Sequence, residues 1–460
     1  MPRRFLMIAA TTALVAAPLG ARAGRSQGPA GSLLLVEENH AVPLVHVVVA
    51  ARTGSAADPR DKDGLANLAG ELARRGAAKK SRAEIDTALD ALGADLEVRT
   101  DPDSLRFEGQ VLAKNLPAFL AILADIVQKP DFTADELART KREILGQLDE
   151  HRNEDEIVCA RFFMKRVYGE HPYGRPPDGT RAGLDKIKRD DVTAFWKSTF
   201  VGKNLVFAAS GDITADELGK EVAKAFGKLK EGPSPKAAEL PAVSKPTGWS
   251  IQLVDKPDRQ QTQIMFGHPT VPASHADFVP LSVALTAFGG HGMTSTMMDE
   301  LRTKRGYAYG AYMNIVEHRG PSVVQGWVFS GADKTVNTLK LILKLYKDFG
   351  DKGVPDDKVK FFQKFLAGTY ASAMDAPDHR LKARVDAEIG GLPADFVDTY
   401  ADKVKAVTPA QVSEAIKKHL DPKNLAITMV ATAETMKKLL ATAIKNEKAI
   451  DVVSFDDPKF

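Results

Sequence analysis

Asp63-Gly64-Leu65-Ala66-Asn67-Leu68-Ala69-Gly70-Glu71-Leu72-Ala73 reads as a helix, with Leu65, Leu68 and Leu72 at helical spacing on one buried face. Two apolar strand patterns precede it, Leu33-Leu34-Leu35-Val36-Glu37 and Leu44 to Arg52. Further on, Thr133-Ala134-Asp135-Glu136 opens a long helix. It has the form of a capping box, in which Thr133 and Glu136 satisfy free backbone N–H groups reciprocally. Asp191 to Phe200 then reads as helix, and Lys203-Asn204-Leu205 leads into the strand Val206-Phe207-Ala208-Ala209. A last short helix opens at a second capping box, Thr214 and Glu217.

The same order returns after about 220 residues. Ile251-Gln252-Leu253-Val254-Asp255 and Thr262 to Gly267 are the paired strands. A long helix starts at Pro355-Asp356-Asp357, with proline in the first turn and acids at the positive helix end. Thr408 to Leu420 reads as helix, and Lys423-Asn424-Leu425 leads into Ala426-Ile427-Thr428-Met429-Val430. Between the halves, Glu231 to Ser250 holds four prolines and two glycines and reads as a linker. Strands and helices mix without strict alternation. The expectation is therefore an α+β fold of two homologous lobes, residues 32–235 and 251–450, each a largely antiparallel sheet packed with helices.

The 460 residues are 44% hydrophobic and 27% charged, an ordinary globular balance. The formal charge is +3, but Arg3, Arg4 and Arg22 fall in a segment expected to be removed, which leaves basic and acidic residues equal in number. That balance argues against nucleic acid or an anionic membrane as partner. Residues 1–23 read as a signal peptide: Arg3-Arg4, an apolar run from Phe5 to Gly20, then Ala21-Arg22-Ala23 as a small-residue cleavage site. The apolar run is short for a membrane anchor, and no later stretch is long and apolar enough to span. A periplasmic or secreted location follows, by either the general or the twin-arginine route. Cys159 is the only cysteine, so no intrachain disulfide forms, and it reads as a core residue.

Around the opening helix the chain resembles the pitrilysin/insulinase family of metallopeptidases, which includes the mitochondrial processing peptidases. The resemblance runs through Arg52-Thr53-Gly54-Ser55, Gly76 to Gly93, His171-Pro172-Tyr173-Gly174, Gly179-Thr180 and Ser210-Gly211-Asp212. It continues in Leu301-Arg302 and Gly306-Tyr307-Ala308-Tyr309, and so covers nearly all of the chain after the leader. It implies a duplicated clam-shell fold and an inverted zinc motif, His-x-x-Glu-His, on this helix. In active members two histidines four residues apart bind one zinc, the Glu between them activates the bound water, and a Glu on the long helix completes the site.

Here every one of those positions is changed. Asn67 stands for the first histidine, Gly70 for the general base and Glu71 for the second histidine. Gln147 falls at the third ligand, and an edge-strand Asn of active members becomes Glu97. No His-x-x-Glu-His occurs anywhere in the sequence, and no two histidines lie within four residues; His40 and His46, and the scattered His268, His275 and His291, make no ligand pair in sequence. Gly289 to Ser295 lacks the lysine of a phosphate loop and reads as a turn into a helix capped by Thr294 or Ser295. The expectation is no metal in this chain and no catalytic residue of its own.

One signature remains. Active members hold substrate with an arginine and a tyrosine of the second lobe seven residues apart, which Arg302 and Tyr309 match. Arg302 is expected to end a helix that Gly306 breaks, with Tyr309 on the next strand, while Lys304 and Arg305 read as surface charges. Some members are split into a zinc subunit and a partner carrying the Arg/Tyr pair. This chain resembles the partner, which implies a heterodimer enclosing peptides, with zinc in the other subunit. A peptide-binding or scaffold protein of the cell envelope is the alternative. An independent metallopeptidase with unusual ligands would still lack a base at Gly70.

Overall fold

The strands come in near-continuous apolar runs, a pattern that requires cover on both faces of a sheet. The computed structural model describes residues 22–235, 240–290, 292–444 and 449–457. The first sheet is built from β1 (Arg22–Gln27), β2 (Leu33–Glu38) and β3 (Leu44–Ala51), followed, after the small hairpin β4 (Gly76–Ala77) and β5 (Lys80–Ser81), by β6 (Glu97–Thr100), β7 (Leu105–Leu112) and β8 (Leu205–Gly211). The second uses β9 (Trp249–Asp255), β10 (Gln261–Thr270), β11 (Ala308–Val316), β12 (Ser322–Gly331), β13 (Leu425–Ala431) and β14 (Ile450–Ser454).

The orders are β1-β2-β8-β3-β7-β6 and β14-β9-β13-β10-β12-β11. Strand for strand they agree, down to the single parallel pair β2/β8 in one and its counterpart β9/β13 in the other. The duplication read from sequence is therefore a duplication of topology. The exception is the outermost strand: β1 runs antiparallel to β2, whereas β14, at the other end of the chain, runs parallel to β9. Of the expected leader, residues 1–21 lie outside the described residues, and Arg22 and Ala23 begin β1. Trp249 and Ser250, assigned to the linker from sequence, already belong to β9. No helix among the described residues is long and apolar enough to cross a membrane.

Each sheet packs helices of its own lobe on one face. The other face is covered by a helix from the opposite half. The helix Asp155–Tyr168 lays Val158, Cys159, Phe162 and Phe163 on Val254, Met265, Val323 and Val430 of the second sheet. In return, the helix Pro377–Ile389 lays Leu381, Val385 and Ile389 on Leu35, Val48, Val206 and Ala208 of the first. An ion pair anchors each crossing. Buried Glu37 on β2 accepts from Arg380 at 3.2 Å and from Arg384, while buried Lys256 beyond β9 donates to Asp155 at 2.6 Å and to the Arg152 and Asn153 carbonyls.

Two sequence details differ in the structure. The Thr133 hydroxyl accepts from the Glu136 N–H, but Glu136 does not return the bond, so the box is half formed. Pro355 sits at the N-cap of Asp356–Ala373 rather than inside its first turn.

The His171-Pro172-Tyr173-Gly174 segment forms part of the contact between lobes. The Tyr173 hydroxyl donates to Asp103 at 2.8 Å and accepts from the Gly320 N–H, and its ring stacks on His318 at 4.3 Å. Burial pushes the pKa of both His171 and His318 down, with Asp103 opposing the shift at each and the two rings reinforcing it at His171. Arg175 also faces His171, and Asp101 faces His318. A histidine depressed in the folded state stabilises it fully above the unfolded value of 6.5 and loses that contribution as pH falls. Melting temperature should therefore fall from pH 7.5 to pH 5, and a His318→Gln variant should show a shallower fall; an unchanged slope would remove His318 from this role.

Candidate functional site

The helix Leu65–Ala73 starts without a side-chain cap of its own, because its N-cap residue is Gly64, which has no side chain and sits at φ +97°. Buried Asp58 takes the capping role, accepting from the Gly64 N–H at 2.8 Å and the Ala66 N–H at 2.9 Å. Gly179 packs against this start: a Cβ there would lie 2.5 Å from the Asp63 carbonyl oxygen, which explains the glycine of the Gly179-Thr180 segment. The helix buries Leu65, Leu68 and Leu72 as its spacing predicts.

Position 70 is closed as well as empty. A Cβ on Gly70 would meet Leu105 Cδ1 at 2.6 Å and Val98 Cγ1 at 2.8 Å, so β6 and β7 fill the space a general base needs. Glu71 is pushed up by burial, against the pull of Arg75, Arg74 and Arg82. Arg75, itself buried, donates to Glu143 on the helix Ala134–His151 at 2.6 Å, and Arg82 lies 3.7 Å from the same carboxylate. Guanidinium groups supply the positive charge that balances the carboxylates here. Gln147 lies one turn beyond Glu143 and is exposed, and Glu97 opens the edge strand β6. Asn67, Glu71 and Gln147 offer only oxygen donors beside three arginines, with none of the imidazole or thiolate ligands that zinc sites combine with carboxylate. The residues do not fit the family's metal.

The second lobe brings its pair together. Arg302 lies on a six-residue π-helical turn, Met298–Thr303, in which the Lys304 N–H reaches back to the Asp299 carbonyl. Gly306, at φ +60°, ends it as the sequence indicates, and the chain enters β11. The helical run begins after Ser295, one of the two caps expected from sequence, while His291 lies outside the described residues. The Arg302 guanidinium carbon stands 4.8 Å above the Tyr309 ring. Tyr309 is 71% exposed on the sheet-edge strand and packs against Phe329. Lys304 and Arg305 are consumed by Asp299 and Glu300, whereas Arg302 meets no carboxylate among the described residues and rests against Met293 Sδ at 3.8 Å. No hydrogen bond or ion pair among the described residues joins this pair to the helix Leu65–Ala73.

The profile of the insulinase family (peptidase family M16) matches residues 33–181, and the profile of the peptidase M16 inactive domain matches residues 186–364. The chain belongs to the insulinase family. Among its relatives in that family, the non-peptidase homolog YmxG of Helicobacter pylori (strain ATCC 700392 / 26695) is 23% identical over 399 residues, 86% of this chain and 91% of that one. An uncharacterized zinc protease of Mycobacterium tuberculosis (strain ATCC 25618 / H37Rv) is 24% identical over 421 residues, 91% and 94% of the two chains. The crystal structure of a peptidase M16 inactive domain from Pseudomonas fluorescens shares the fold with a TM-score of 0.82 at 23% identity, over 89% of this chain and 97% of that one. A protease from Helicobacter pylori shares it with a TM-score of 0.81 at 17% identity, over 89% and 100%. With its metal donors replaced and position 70 filled, this insulinase-family chain is an inactive peptidase homologue. Its conversion was legible at Asn67, Gly70 and Glu71, but the plug from Leu105 and Val98 was not, because nothing in a strand's own pattern says which glycine it will meet.

Proposed function

We infer that this chain is the substrate-binding partner subunit of a heterodimeric zinc metalloendopeptidase, exported to the periplasm, in which a homologous chain supplies the zinc and the base. The observation that carries the reading is the half-buried Arg302 over the exposed Tyr309, kept in a chain whose degenerate zinc helix has its base position closed. A guanidinium without a carboxylate partner can grip a peptide carbonyl, and a phenol can donate to an oxyanion as it forms. Peptide bound as an added strand would be held by backbone hydrogen bonds, so sequence specificity would be loose.

The test is peptide hydrolysis by the mature chain, alone and mixed with a homologue from the same genome that carries His-x-x-Glu-His. Activity should appear only in the mixture and fall on the order of a hundredfold with Arg302→Ala, the scale expected for a lost transition-state donor. Full activity of the zinc-bearing chain alone, or of the Arg302→Ala mixture, would sink the proposal. Inertness in every combination would favour a peptide-binding scaffold of the envelope.

A further inference from the structure

The fold gathers two histidines that the sequence keeps far apart. His275 lies in the loop before the helix Phe278–Gly289, Asp277 stands at that helix's N-cap, and His419 ends the helix Pro409–His419. One donor atom from each of the three lies within 4.8 Å of the others. The geometry points to a divalent transition-metal site here, of a two-histidine, one-carboxylate type, with zinc as its ion. It is separate from the family's catalytic position and owes nothing to the proposed role of Arg302 and Tyr309.

Three features support it. The first is ring placement: the His275 and His419 centroids are 5.4 Å apart, edge to face. Two imidazoles bound tetrahedrally to one ion at ~2.05 Å place their ring centres about 5 Å apart. The second is the carboxylate. Asp277 occupies an N-cap position yet makes no cap hydrogen bond; it accepts instead from His419 Nε2 at 2.8 Å. The third is the state of His275. Its Nδ1 accepts from the Asp277 N–H at 3.0 Å, so this nitrogen presents a lone pair, the form a metal requires. An ion would take that lone pair from the amide and take the place of the proton between His419 Nε2 and Asp277, the neutral imidazole carrying that proton on Nδ1 instead. Lys418 is a competitor at 3.8 Å from Asp277, but it is half exposed and pairs more closely with Glu414 at 2.7 Å.

Imidazole with carboxylate suits zinc, copper and nickel, and three protein donors leave one position for water. The ion would pin the start of one helix to the end of another 142 residues away, acting on the second lobe as a clip. The test uses the full mature chain, stripped with chelator and titrated with zinc chloride against a chromophoric competitor. One equivalent should bind, more tightly at pH 8 than at pH 6, and raise the melting temperature. His275→Ala and His419→Ala should each weaken binding at least about tenfold. His275 is exposed, so its substitution leaves the fold intact even if His419→Ala does not. Absence of bound zinc in the stripped and titrated chain, or binding that survives both substitutions, would overturn the site.

Discussion

Gly70→Glu should destabilise the chain by about 3 kcal/mol or more and restore no hydrolysis, alone or combined with Asn67→His, Glu71→His and Gln147→Glu. The first added atom already collides: Cβ would lie 2.6 Å from Leu105 Cδ1 and 2.8 Å from Val98 Cγ1, both on strands of the first sheet. Relieving it means moving Leu105, which is fully buried, or the helix that carries Gly70. Overpacking of this kind costs about 1–3 kcal/mol. The carboxylate must then sit against two apolar side chains, which adds a desolvation cost of about 1–3 kcal/mol or forces the group to protonate. Urea denaturation reads the effect as a lower midpoint at unchanged slope. Adding Leu105→Ala to Gly70→Glu should return part of the loss by opening the space. Wild-type stability of the single variant would show that the plug is not there.

The reciprocal helices give the second large effect. Arg384→Ala should cost about 3 kcal/mol, the scale seen when one member of a buried ion pair is removed. Arg384 bonds Glu37 through Nε and grips Asp398 with both terminal nitrogens, at 2.9 and 2.7 Å. The Glu37 side chain is 1% exposed and that of Arg384 11%, so solvent screens the pair little. Losing Arg384 leaves Glu37 with Arg380 alone and loosens the helix Pro377–Ile389 from the first sheet. The double variant Glu37→Leu with Arg384→Ala should lose clearly less than the two single losses together, because the buried carboxylate that Arg384 compensates is gone and Arg380 keeps its bonds to the Met374 and Asp375 carbonyls. A loss below about 1 kcal/mol for Arg384→Ala would place this contact among ordinary surface pairs.

The duplicated lobes were legible because their signals are local. Strand runs, the Thr214 box and the paired Lys-Asn-Leu segments each report on a few neighbouring residues, and they recur in order. The crossing helices were not. Val158, Phe162 and Phe163 say that one face is buried but not which sheet buries it, and Cys159, read correctly as core, meets the Thr428 carbonyl 269 residues away. The near-continuous apolar strands carried a hint, since a sheet covered on one face only would alternate. At the site, the seven-residue spacing of Arg302 and Tyr309 survived translation into space, while the π-helical winding beneath Arg302 had no sequence mark. His275 and His419 stand far apart in sequence, and only the fold brings the loop before Phe278–Gly289 to the end of the helix Pro409–His419.

The most direct test of the central claim, that the family's catalytic position in this chain neither holds a working metal nor cuts peptide, is hydrolysis of a fluorogenic peptide by the isolated chain in saturating zinc. The account predicts no cleavage above the uncatalysed rate, with or without chelator, whether or not zinc occupies His275, Asp277 and His419. Chelator-sensitive cleavage that persists in a His275→Ala, His419→Ala double variant would contradict it.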